Sequence, residues 1–293
     1  MEILGIPIQA LAGQLLLGIV NGSFYAMLSL GLAIIFGLLH IANFVHGAQY
    51  MVGAFVTWML LQYLGISYWW ALLLAPAVMF CLGVAIEYVF LRRIYELDHF
   101  YGLLMTFGLL LMIESIFRYY FGSTGLPYEN PLPGGINVGF MFLPYYRAWV
   151  VGVSLVVCFG TWFMIERTKL GSYLRASTEN PEMVLAFGIN VPLLLTLTYG
   201  FGVALAGFAG AMAAPITNVS PTMGTHLIII IFAVVVIGGL GSIMGSIVTG
   251  FALGILEGLT KFFFAPASTT LVFVVMVLIL FIRPAGLFGK ERP

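Results

Sequence analysis

Residues 166–190 read ERTKLGSYLRASTENPEMVLAFGIN, and they stand apart from everything around them. Arg167, Lys169 and Arg175, set against Glu166, Glu179 and Glu182, keep this stretch out of hydrocarbon. Its pattern is still too regular for a slack loop, because Leu170, Tyr173 and Leu174 recur at helical spacing. The chain then breaks and restarts. Asn180 is a good N-cap, Pro181 suits the first helical position, and Glu182 complements the positive end of a helix. Met183, Val184 and Phe187 give a short second helix an apolar face, and Gly188 can end it. The spacing predicts two short helices at a membrane surface, joined by a fixed elbow. Such an element transmits force or docks a partner; an ordinary solvated loop with satisfied caps fits the same residues.

On either side of this stretch the chain is oily. Of 293 residues, 62% are hydrophobic and 8% charged, with mean hydropathy +1.11. Soluble domains carry roughly 25% charged residues. The long apolar runs must face lipid or each other, which predicts an all-α, polytopic helical membrane protein. A β-barrel would instead show short alternating segments. A formal net charge of zero gives no reason to expect a nucleic-acid partner. Cys81 and Cys158 both fall inside apolar runs and read as small packing residues rather than a disulfide or metal site. The first run lacks a basic leader and a clear cleavage site, so it reads as a real span.

A crossing needs about 20 apolar residues. Candidate spans are 9–39, 48–64, 68–91, 101–121, 148–165, 191–214, 227–240, 243–264 and 269–282. The first is long enough to tilt or break. The short run 227–240, preceded by Pro215 and Pro221, reads equally as a broken or re-entrant helix, so eight to ten crossings are expected. With nine, Arg92 and Arg93, then Arg167, Lys169 and Arg175, then Arg283, Lys290 and Arg292 all fall on one side, which the positive-inside rule makes the cytoplasm. The loop 122–146 and the N-terminal segment MEILGIPIQ, which has no Lys or Arg, fall outside. Residues 1–293 read as a single transmembrane domain with 166–190 as its cytoplasmic segment.

Small residues four apart mark close helix contacts in lipid. Gly18, Gly22 and Ala26 form one stripe; Gly202, Ala206, Gly210 and Ala214 a second; Ser246, Gly250, Gly254 and Gly258 a third. Gly238-Gly239-Leu240-Gly241 reads as a tight turn, since no Gly-Lys-Ser/Thr follows to make a phosphate loop. Glu114 with Arg118 and Glu257 with Lys261 are spaced to neutralise themselves within one turn. Glu87 reads as an interfacial partner of Arg92 and Arg93, leaving no carboxylate unpaired at mid-membrane. Asn43-Phe44-Val45-His46-Gly47 interrupts a long apolar tract. A lone histidine there is most often structural, but Asn21, Ser23, Asn43, His46 and Gln49 together are candidates for a polar translocation path. His226 is a weaker one. There is no HExxH, nucleophile elbow, Cys–His metal spacing or nucleotide-binding motif. No catalytic residue, metal or cofactor is expected, and energy for uphill movement would arrive from outside the chain.

Several segments taken together resemble the LivH-type permeases of bacterial branched-chain amino-acid ABC transporters. They are Asn21-Gly22-Ser23-Phe24-Tyr25-Ala26 with Gly31-Leu32, Ile41-Ala42-Asn43-Phe44-Val45-His46-Gly47, Glu166-Arg167-Thr168 with Leu170-Gly171, Leu174-Arg175-Ala176 with Glu179-Asn180-Pro181 and Gly188-Ile189-Asn190, and Val236-Ile237-Gly238-Gly239-Leu240-Gly241-Ser242 with Gly245. They occur in the family's order across nearly the whole chain. The resemblance implies an inner-membrane subunit that works with two cytosolic ATP-binding subunits, a second, LivM-like permease and a periplasmic substrate-binding protein. It also implies that 166–190 docks the ATPase, with Glu179, Asn180, Pro181 and Gly188 setting the shape and Arg175 as a salt-bridge partner. Val45 stands where the family more often shows Ala, and Gln49 where Glu is common, which removes a charge near the path. Related permeases take up urea, short amides or small acids, so the resemblance leaves the cargo open.

Overall fold

The computed structural model describes every residue except 1, 4, 5, 40, 96, 140, 141 and 290–293. Lys290, Arg292 and part of the N-terminal segment, used above to orient the chain, therefore lie outside the described residues. The helices are α1 (Ile8–Leu39), α2 (Val45–Leu64), α3 (Tyr68–Val89), α4 (His99–Phe121), α5 (Tyr145–Arg167), α6 (Lys169–Glu179), α7 (Pro181–Ala186), α8 (Val191–Ala213), α9 (Met223–Gly238), α10 (Ile243–Phe264) and α11 (Ser268–Ile282). Strand structure among the described residues is confined to two small antiparallel hairpins. Each of the nine apolar runs coincides with one helix, and no boundary moves by more than four residues.

Among the described residues, six helical segments are long and apolar enough to cross a membrane. One of them, Ile243–Ile282, is divided into α10 and α11 by a 3-10 turn at Ala265–Ala267. α9 is shorter, at 16 residues. The molecule is thus an all-α, polytopic membrane protein. In the most apolar window of α1, 83% of residues are buried, against 28% in α4 and in α5. α1 is therefore the axis of the bundle, and α4 and α5 present their apolar sides outward, as lipid requires. Cys158 is buried, whereas Cys81 is exposed on α3 rather than packed.

The first and third stripes of small residues turn out to face each other. α1 and α10 run antiparallel, and a Cβ added at Gly254 would stand 2.3 Å from the Gly22 Cα; one added at Gly250 would stand 2.6 Å from the Ala26 Cα. The second stripe receives α1 and α2: a Cβ on Gly202 would crowd Ile35 and Gly31, and one on Gly210 would come 2.0 Å from the Tyr50 carbonyl. Small side chains let these backbones touch, and close packing is what holds helices together in lipid.

One end of the bundle gathers the α9–α10 turn, the handle formed by residues 166–190, and the tail after α11. Gly239 and Gly241 have φ of 102° and 82°, and Ser242 caps α10 by accepting from the Gly245 amide at 3.1 Å. The tail crosses this turn, with Leu287 and Phe288 amides donating to the Ile237 and Gly238 carbonyls at 2.8 and 3.1 Å. At the opposite end, Leu126 of the long loop pairs with Val219 of the α8–α9 connection.

Candidate functional site

The handle is two helices set across the bundle end. Gly171 lets α6 start hard against the last turn of α5; a Cβ there would stand 1.6 Å from the Ile165 carbonyl oxygen. Arg175 is drawn back toward the same place. Its Nη1 donates to the Ile165 carbonyl at 3.3 Å and pairs with Glu166 Oε2 at 3.2 Å, setting a positive charge at the negative end of α5. Its side chain stays 47% exposed. Asn180 Oδ1 accepts from the Met183 amide at 3.0 Å, and Pro181 opens α7. α7 ends on Gly188 at φ 80°, with Gly188 N–H donating to Leu185 and Ile189 N–H to Val184, the paired bonds of a Schellman stop. Glu179 and Glu182 are exposed.

The apolar faces read from the sequence are only partly turned inward. Leu174 and Val184 are buried, and Leu174 helps line an apolar pocket of about 240 Å³ with Phe80, Ile165, Leu194 and Phe201. Leu170, Tyr173, Met183, Leu185 and Phe187 are exposed. α6 and α7 have 11 and 6 residues, and about one residue per turn is buried: Gly171, Leu174 and Ser177 on α6 and Val184 on α7. Five large apolar or aromatic side chains are left on the outer side of a rigid element.

The second candidate region is the break between α1 and α2. Residues 41–43 are not helical, yet Ile41 and Asn43 are buried. Thr106 of α4 clasps the bend: its hydroxyl donates to the Ala42 carbonyl at 2.9 Å and accepts from the Phe44 amide at 3.3 Å. Thr106 lies seven residues inside α4, about 10 Å along its axis. α2 therefore starts inside the bundle rather than at its end. Irregular backbone at that depth is tolerated only where protein or a cavity surrounds it.

Three of the predicted path residues meet here. Asn43, His46 and Gln49 are spaced one turn apart and are fully or almost fully buried. Asn43 Nδ2 and Gln49 Nε2 donate to the Tyr199 hydroxyl at 3.4 and 2.9 Å, and His46 Nε2 bonds the Leu28 carbonyl at 3.1 Å. Gly31 makes room for the imidazole; a Cβ on it would press on the ring at 3.1 Å. Asn43 Oδ1, His46 Nδ1 and Gln49 Oε1 have no partner among the described residues. Ser23 and Asn21 lie elsewhere: the Ser23 hydroxyl bonds the Ile19 carbonyl of its own helix at 3.0 Å, and Asn21 is half-buried, preceding Gly22, which packs against α10. His226 is exposed. A cleft of about 540 Å³, lined by Phe36, Gly37, His99 and Gly241 among others, opens at the handle end. His99 is one turn from Gly102, against which Ile41 packs.

Glu87 is placed differently from the sequence expectation. It is 1% exposed and has no ion pair with Arg92 or Arg93 among the described residues. Instead the Tyr95 and Thr196 hydroxyls donate to its two oxygens at 2.7 and 2.6 Å. α3 ends at Val89, and the 3-10 turn Leu91–Arg93 carries Arg92 over the Tyr88 ring. That carboxyl is therefore a buried one without a cation. Burial and this carboxylate together push the Tyr95 phenol upward from its ordinary value. Glu114 pairs with Arg118 and Glu257 with Lys261, as the spacing predicts. Each carboxylate also reaches another helix, Glu114 through the Thr225 hydroxyl and Glu257 through the Tyr25 hydroxyl.

No solved structure matches the chain. It is 26% identical to the high-affinity branched-chain amino acid transport system permease protein LivH of Escherichia coli (strain K12), over 95% of this chain and 96% of that one. To BraD of Pseudomonas aeruginosa, described in the same words, it is 28% identical with the same coverage. A partial likeness, 27% identical over 63% of this chain and 60% of the other, extends to the ribose import permease protein RbsC of Escherichia coli (strain K12). The family described as branched-chain amino acid transport system / permease component matches residues 14–282, which takes in the break, the handle and the α9–α10 turn alike. The chain belongs to that permease family.

Proposed function

We propose that this chain is the transmembrane permease subunit of an ATP-binding-cassette importer that moves branched-chain or similarly small amino acids inward, using ATP hydrolysed by a partner. The handle carries the reading. Two short helices, pinned through Gly171 and Arg175, hold Leu170, Tyr173, Met183, Leu185 and Phe187 exposed at one bundle end. A short helix presenting an apolar face suits a groove on another protein. In this reading residues 166–190 are the cytoplasmic coupling segment of a single permease domain spanning 1–293, and one of two cytosolic ATP-binding subunits takes the handle. Glu179, Asn180, Pro181 and Gly188 fix its shape, and the half-exposed Arg175 offers a charge to the partner.

The rest of the topology follows from placing the handle in the cytoplasm of a bacterial inner-membrane protein. The C-terminal tail shares that end, and the N-terminus lies outside. A periplasmic binding protein delivers solute to the outer end, and a second, LivM-like permease completes the pore. Asn43, His46 and Gln49 form the polar side of the path, which Asn21 and Ser23 do not join, and the cleft beside His99 is its inner mouth. A second reading changes the cargo alone: the same machine carrying urea, a short amide or a small organic acid.

Reconstitution in proteoliposomes tests the proposal. L-leucine uptake that requires both the ATPase subunits and ATP is expected. Uptake by the permease alone, with neither present, would identify an autonomous carrier or channel and overturn it.

A further inference from the structure

We propose that the Tyr199 hydroxyl is a positioning group through which α8 controls the break between α1 and α2. α8 begins directly after the handle, and Asn190 caps it by accepting from the Leu193 amide at 3.0 Å. Thr196 and Tyr199 follow one turn apart on a buried stretch of the helix. Thr196 holds Glu87 of α3, and Tyr95 holds the same carboxyl from the α3–α4 connection. One turn further, the Tyr199 oxygen receives Gln49 from α2 at 2.9 Å and Asn43 from the break itself at 3.4 Å. Buried polar contacts thus stand at two successive turns of α8, and the second reaches the irregular backbone inside the bundle.

The proton bookkeeping gives the second set a direction. The Leu28 carbonyl can only accept, so His46 donates through Nε2 and its Nδ1 is an acceptor. Gln49 lies beside the ring. With the Gln49 amide turned so that its NH2 faces His46, Tyr199 donates to Gln49 Oε1. Donors then run from Asn43 to Tyr199, Gln49, His46 and the Leu28 carbonyl, joining α8, α2 and α1. In either amide orientation the Tyr199 oxygen is the joint between α8 and the polar face of α2. Tyr199 is eight residues beyond Val191, about 12 Å along a stiff helix. A shift of about 1 Å in α8 takes a 2.9 Å bond out of hydrogen-bonding range. Movement of the handle is therefore felt at the break as the making or breaking of this joint.

The inference rests on the ATP-driven reading above, and the experiment keeps the two apart. The complete transporter, with its ATPase and binding-protein subunits, is reconstituted, and L-leucine uptake and ATP hydrolysis are measured in the same vesicles. Wild-type vesicles that accumulate no leucine with ATP, or accumulate it equally without ATP, would overturn the proposed function and this inference with it. Given an ATP-driven wild type, leucine carried per ATP hydrolysed is expected to fall at least tenfold in Tyr199→Phe and in Gln49→Leu. The double variant should be no worse than the poorer single one, because both remove the same joint. A purely structural role would lower uptake and hydrolysis together. A ratio within twofold of wild type, or losses that multiply in the double variant, would therefore overturn the inference alone. Should Tyr199→Phe fail to assemble, Gln49→Leu decides by the same ratio.

Discussion

At Gly171 an added methyl group would sit inside the contact distance of the Ile165 carbonyl, and backbone cannot yield as a side-chain tip would. Gly171→Ala should therefore lower the stability of the purified protein by about 1–3 kcal/mol, the usual cost of overpacking. A thermal midpoint equal to wild type in the same detergent would contradict the tight elbow. Glu87 allows a sharper comparison. Glu87→Gln keeps an acceptor for one of its two hydroxyl donors, whereas Glu87→Leu leaves the buried Tyr95 hydroxyl without one and costs about 1–3 kcal/mol. Thr196 can fall back on the Pro192 carbonyl at 3.0 Å. The leucine variant should unfold at a lower temperature than the glutamine variant, and equal midpoints would remove Glu87 from the network. Asn180, Pro181 and Gly188 were legible from sequence because cap chemistry is local. Glu87 was misread because Arg92 and Arg93 are near in sequence, and the 3-10 turn after α3 takes them away. Tyr199 gave no signal at all. A tyrosine in an apolar helix is ordinary, and only the two amides brought against it from 150 or more residues away make it otherwise.

The helices were legible for a plain physical reason: lipid demands long apolar runs, and composition alone separates them. Their pairing was not. A stripe of small residues marks a face that can approach another backbone but does not name the backbone. Only in three dimensions do Gly22 and Gly254 meet, and Gly53 meet Gly207. Gly254→Val should wedge α1 from α10, so the variant is expected to aggregate or to lose most of its monodisperse peak after detergent extraction. A wild-type chromatogram would show that the seam tolerates a branched side chain and is looser than drawn. The handle makes the opposite prediction for an isolated chain. Phe187 is 79% exposed, so Phe187→Ala should leave the thermal midpoint of the lone permease unchanged. In a docked complex the same ring would be buried. Losing it would weaken ATPase binding by about 1.5–3 kcal/mol, roughly ten- to a hundredfold in Kd. Equal ATPase binding by both proteins would place the docking surface elsewhere.

Taken whole, the molecule is a tight bundle around α1, with a polar joint inside it and a stiff element at one end. The exposed apolar residues of α3, α4, α5 and α11 have lipid to face, whereas those of the handle flank exposed Arg175, Glu179 and Glu182, and the proposed docking would cover them with protein. In the proposed function ATP is hydrolysed by a partner, and the handle is what that partner touches. The most direct measurement replaces Phe187 with a photo-crosslinking residue in membranes that are actively importing solute. On irradiation, the account predicts a one-to-one adduct between this chain and a cytosolic ATP-binding subunit. An active transporter whose handle yields no such adduct, or whose position 187 reacts with a membrane-impermeant reagent from the periplasmic side, would contradict it.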